Sequence, residues 1–104
     1  MMFGLEEKII EGIKRVLREN SSVTRALIFG SRARGDYKYN SDIDLAVYSA
    51  ETLPTGLWLD LDEAAGIYKI DVIDMSSSLD ERFHQRIEKE GVEIYRKELK
   101  FRKV

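Results

Sequence analysis

The chain has 104 residues, a net charge of −2 and no cysteine. That length suits one domain with a modest core and leaves little room for a second lobe. The charge argues against a broad nucleic-acid footprint, and the missing cysteine excludes disulfides, thiolate metal sites and cysteine nucleophiles. The start, "MMFGLEEKII", is acidic where a signal peptide is basic. No apolar run approaches the roughly 20 residues of a membrane span, and a cytoplasmic protein is expected.

Residues 5–19 place Leu5, Ile9, Ile10, Ile13, Val16 and Leu17 at helical spacing, with acidic residues in the first turn and basic ones toward the end. Asn20, Ser21 and Ser22 end this helix. "VTRALIF", 23–29, reads as a strand buried over most of its length. "SRAR" is expected to make one helical turn closed by Gly35, before a polar loop at 36–41. "DIDLAVYS", 42–49, is a second strand, 53–66 a turn and short helix, and "YKIDVIDM", 68–75, a third strand. A last helix is expected from an N-cap at Ser78 with a capping-box partner at Glu81, stopping at Gly91. A short strand at 92–96 and a basic tail at about 97–104, expected to fray, complete the chain. The alternation predicts an α/β (α+β) sandwich with a small sheet packed by helices.

The chemistry concentrates between Gly30 and Asp71. A strand that turns into a helix at Gly30-Ser31 exposes backbone N–H donors, which favour phosphate. The same turn is also a common cap. Asp42 and Asp44 are two apart, so in a strand both carboxylates point to one face while Ile43, Leu45 and Val47 point to the other. Adjacent carboxylates repel and one tends to take up a proton. A divalent cation resolves that conflict, and Mg²⁺ suits hard oxygen ligands. A solvated strand start, with Asp42 capping the loop, is the alternative. Asp71, set between Ile70 and Val72, is costly in a buried strand unless paired. It is the candidate to complete a three-carboxylate site able to hold two Mg²⁺ ions for a phosphoryl displacement. Asp74, three residues on, falls on the opposite face and reads as solvated or capping. The one histidine, His84, reads as structural, and P-loop, dinucleotide-fold and EF-hand patterns are absent.

Gly30-Ser31, ten intervening residues and Asp42-x-Asp44, then a third aspartate in "KIDVID", resemble the minimal nucleotidyltransferases of the polymerase-β superfamily. "LIFGSRARGD" and "SDIDLAV" are similar to that family's strand-turn-helix and metal strand. The resemblance spans about residues 23–95 and implies metal-dependent nucleotidyl transfer. Asp42 and Asp44 are then expected to bind both Mg²⁺ ions, and Asp71 to hold the catalytic ion and help activate the attacking hydroxyl. Gly30 and Ser31 are expected to bind the β- and γ-phosphates of ATP. Arg32 is a candidate phosphate contact on the strength of arginine's geometry; both it and Arg34 are otherwise solvated. Lys38, between Tyr37 and Tyr39, belongs to a loop that touches an acceptor or is simply exposed.

Larger members of the superfamily carry an added acceptor-binding domain, for which this chain has no room. Small members resemble the antitoxin halves of two-gene modules whose partner is a HEPN-domain ribonuclease toxin. The resemblance implies transfer of AMP from ATP to a tyrosine of that partner. Two alternatives stay open: a small-molecule (aminoglycoside-like) acceptor with help from a homodimer or a second subunit, and a non-catalytic module that neutralises a partner by contact.

Overall fold

The computed structural model describes residues 2–77 and 80–98. Among them the element order is α1 (Glu7–Glu19), β1 (Val23–Phe29), α2 (Ser31–Arg34), β2 (Ile43–Ser49), α3 (Thr55–Ala64), β3 (Ile70–Asp74), α4 (Glu81–Glu90) and β4 (Val92–Arg96). The strands form one sheet in the order β3-β2-β1-β4. β1 runs antiparallel to β2 and β4, whereas β2 and β3 are parallel, joined through α3. This mixed sheet with packed helices is the α+β architecture expected from the sequence.

Period-two alternation divides the apolar residues between two layers. Ala26, Ile28, Ile43, Leu45, Val47, Ile70 and Val72 pack with Leu5, Ile13 and Leu17 at the α1 side and Leu57 and Leu61 of α3. Burying each such Leu or Ile side chain contributes about 1.5–3 kcal/mol. The opposite face carries Leu27, Phe29, Ala46, Tyr48 and Ile73 under Phe83 and Ile87 of α4. One helix covers this second face where two cover the first.

Several boundaries differ from the sequence reading. β2 begins at Ile43, leaving Asp42 just outside the ladder. The N-cap of α4 is Asp80, whose carboxylate accepts a hydrogen bond from the Arg82 amide at 2.8 Å. Ser78, the expected cap, and residues 99–104 of the basic tail lie outside the described residues. Gly91 does stop α4, but not through the left-handed conformation typical of helix ends, since its φ is −69°. A Cβ there would stand 2.6 Å from the Ile87 carbonyl oxygen and 3.0 Å from Leu27 Cδ1. Glycine is required at that point by close packing.

Candidate active site

The parallel pairing sets Asp44 and Asp71 directly beside each other as register partners. Both belong to the face covered by α4, with Ala46 and Tyr48 following Asp44 and Ile73 following Asp71. The antiparallel pairing places Phe29 opposite Asp44 on the other side, so the chain leaving β1 enters Gly30 next to that carboxylate. Gly30 adopts φ 72° and ψ −153°, open essentially only to glycine. A Cβ on Gly30 would collide with Asp44 Oδ2 and stand 3.2 Å from its Cγ. The glycine of the turn therefore makes room for the second aspartate. The two motifs, distant on paper, touch in the fold.

The half-buried Asp44 carboxyl is held above the usual aspartate range, first by desolvation and then by the charges of Asp71 and Asp42; Arg34 and Arg32 oppose this. The three aspartates thus share one electrostatic neighbourhood, as the sequence reading expected of adjacent carboxylates. Among the described residues no three His, Cys, Asp or Glu side chains stand at metal-holding distance. The donor set still fits a hard divalent cation. Its members are carboxylates of neighbouring chain segments, and their mutual repulsion is what such an ion would offset.

Other sequence candidates separate from this group. Arg32 is 2% exposed, and its guanidinium donates to the carbonyl oxygens of Phe3, Tyr39 and Ser41. It is neither solvated nor free for a phosphate, which corrects the expectation of a phosphate contact. The reason is physical: a buried arginine satisfies its donors on the nearest acceptors, here loop carbonyls. Arg34 is half-exposed and lies 3.4 Å from Asp36 and 3.6 Å from Glu90. In the 36–41 loop both Tyr37 and Tyr39 are exposed, Tyr39 far more so, and the ring of Tyr37 lies against Gly4. Asp74 accepts hydrogen bonds from the amide and hydroxyl of Ser76, the capping role expected of it. His84 packs edge-on against Tyr48, a structural position.

Sequence reasoning missed Phe29 and Phe83. Their rings meet edge to face at 6.2 Å, placing the first turn of α4 beside the strand position opposite Asp44. The signal available was weak, since an aromatic at a strand end is an ordinary core residue. An open groove of about 640 Å³ between α1 and α3, lined by Gly12, Arg15, Asp60 and Glu63 among others, shares no residue with the site.

Residues 11–100 match the family described as polymerase beta, nucleotidyltransferase. The chain belongs to the polymerase-β nucleotidyltransferase family. The chain is 46% identical over 46 residues to a Methanocaldococcus jannaschii protein named as a protein adenylyltransferase, an overlap of 44% of this chain and 54% of the relative. The chain thus spans about half the length of the curated relative it matches. It also resembles a chain of a crystal structure of a toxin–antitoxin with AMP-PNP, at 28% identity and a TM-score of 0.72, covering 85% of this chain and 73% of that one. A solved structure described as a minimal nucleotidyltransferase matches at 26% identity and a TM-score of 0.68, over 88% of this chain and 95% of that one. Among the described residues, no helix is long and apolar enough to cross a membrane.

Proposed function

We propose that this chain is a Mg²⁺-dependent nucleotidyltransferase that moves AMP from ATP to a tyrosine of a HEPN-domain ribonuclease toxin, and so acts as that toxin's antitoxin. The observation that carries the reading is the contact between Gly30 and Asp44 with Asp71 in register beside it. It puts the phosphate-turn motif and the carboxylates in one place. Family membership, the adenylyltransferase relative and the likeness to a toxin–antitoxin structure with AMP-PNP support it.

In this mechanism Asp42 and Asp44 would hold both Mg²⁺ ions, and Asp71 would be a further ligand of the catalytic one of the two. Bound Mg²⁺ supplies charge neutralisation of the phosphates and an acidified attacking hydroxyl. The Gly30-Ser31 turn binds the β- and γ-phosphates through backbone donors. Asp71 helps orient and activate the tyrosine hydroxyl. The hydroxyl gives its proton to the Asp71 carboxylate, the tyrosine oxygen bonds to the α-phosphorus, the bond from that phosphorus to the oxygen bridging to the β-phosphate breaks, and pyrophosphate leaves. Attaching a phosphate and adenosine to the toxin adds charge and bulk that obstruct its RNA. Arg32, whose guanidinium is engaged by carbonyls, is given no phosphate role in this reading.

The test is incubation of the chain with the HEPN partner, Mg²⁺ and ATP labelled on the α-phosphate. Label on a toxin tyrosine is the expected result. Inhibition of the toxin without label points instead to neutralisation by contact, and label on a small acceptor alone points to the small-molecule reading.

A further inference from the structure

Arg32 is the one charged side chain that is fully buried among the described residues. Burial of a guanidinium is costly unless its charge and its donors are matched. No carboxylate does this among the described residues. Instead Nε and Nη2 donate to the Ser41 carbonyl at 3.1 and 2.7 Å, Nη2 also to Tyr39 at 3.4 Å, and Nη1 to Phe3 at 2.9 Å. The rings of Tyr37 and Tyr68 flank the guanidinium, with centroids 5.4 and 5.0 Å from Cζ. Phe3 is the one non-glycine residue with positive φ, 58°, among the described residues. That conformation is unfavourable for a bulky side chain, and it delivers the carbonyl that Arg32 takes.

These partners are placed tellingly along the chain. Arg32 itself follows Ser31 of the turn. Ser41 immediately precedes Asp42. Tyr68 lies three residues before Asp71 and leads into β3. One rigid, planar group therefore bridges the three segments that deliver the turn, the aspartate pair and the third aspartate. Lysine cannot replace it, because a single ammonium lacks the fork that reaches several carbonyls in one plane.

We propose that Arg32 is the positioning residue of the site: its guanidinium locks the Gly30-Ser31 turn, the entry to Asp42 and the entry to Asp71 into one arrangement, and thereby sets the affinity of the aspartates for a divalent cation. This rests on the reading of the aspartates as metal ligands. It differs in sign from a purely electrostatic role. By Coulomb's law, a cation near the aspartates weakens metal binding, so removing it tightens binding.

The experiment titrates Mn²⁺ into the whole chain without nucleotide, followed by electron paramagnetic resonance, for wild type, Arg32→Lys and Arg32→Met. Backbone amide exchange is measured on the same samples. Positioning predicts that both variants bind Mn²⁺ about tenfold more weakly or worse and that the amides of Ser41 and Ile43 lose protection while that of Leu27 keeps it. Wild-type affinity in Arg32→Lys with tighter binding in Arg32→Met overturns the proposal, as does unchanged exchange at Ser41 and Ile43. If Arg32→Met does not fold, Arg32→Lys, which keeps the charge, decides both readouts. A wild type that binds no Mn²⁺ defeats the metal-site reading itself; Arg32 is then judged by exchange alone.

Discussion

The α4-covered face of the sheet is charged at both ends, and the two ends are built on opposite rules. At one end, Arg25 lies 2.7 Å from Glu93 and 3.4 Å from Glu88, over the ring of Tyr48, whose hydroxyl donates to Glu88. Here each carboxylate has a partner. The Tyr48 hydroxyl and Arg25 hold Glu88 below the usual glutamate range, and Arg96 and Arg25 do the same for Glu93. Four residues along β2, about 13 Å at strand rise, Asp44 faces Asp71 and Asp42 and is pushed the other way. A matched cluster is complete as it stands. A cluster of like charges costs stability and is useful only when something positive arrives, the pattern of a working site.

The largest expected effect is at the unmatched end. Asp42→Asn with Asp44→Asn lowers nucleotide transfer at least about a thousandfold, with the circular-dichroism spectrum unchanged. Transfer that survives in this double variant sinks the metal-site reading. Gly30→Ala comes next. Its methyl displaces the Asp44 carboxylate and strains a backbone at φ 72°. Transfer falls about a hundredfold and thermal unfolding registers a loss on the order of 1–3 kcal/mol.

The third effect is smaller and separates the two ends by pH. The folded-state pKa of Asp44 lies above the ordinary 3.8, so its ionised form opposes folding above that raised value. Asp44→Asn therefore stabilises the metal-free chain at pH 7 by up to about 1 kcal/mol, discounted for partial exposure. The gain shrinks as pH falls through the raised value and is gone only below 3.8. Glu88 has the opposite sign. Its folded-state pKa lies below the ordinary 4.5, so its contribution is present above that value and is lost as pH falls through the lowered one. Glu88→Gln thus destabilises at pH 7 by a few tenths of a kcal/mol, an effect that fades in acid. Urea melts of both variants across pH 3–7 check the pair. Parallel pH trends in the two variants contradict the contrast drawn above.

Much of the site was legible because it depends on short-range rules. Period two predicts Asp44 on the face it shares with Ala46 and Tyr48, and the cost of a charge between Ile70 and Val72 singles out Asp71, its register partner; Asp42 lies just outside the strand on which that rule acts. A small sheet packed by helices followed from the alternation of elements, while its mixed pairing did not. What escaped depended on partners distant in sequence. The fate of Arg32 is decided by Phe3 and Tyr68, which no spacing rule connects to it. Gly91 was read as a conformational stop, although its role depends on Leu27, a strand away. The matched cluster of Arg25, Tyr48 and Glu88 required knowing that α4 lies over β1 and β2. Asp80 took the cap expected of Ser78 because both positions carry good capping chemistry.

The strand order β3-β2-β1-β4 has a consequence for the three aspartates. Asp44 stands on an interior strand, clasped from both sides. Asp71 stands on the sheet's margin, secured by a single neighbour. Wear at that margin reaches the third carboxylate first and leaves the join between Gly30 and Asp44 intact. The three carboxylates are thus divided between a fixed half and a yielding half, and Asp71 is the one whose place the fold defends least.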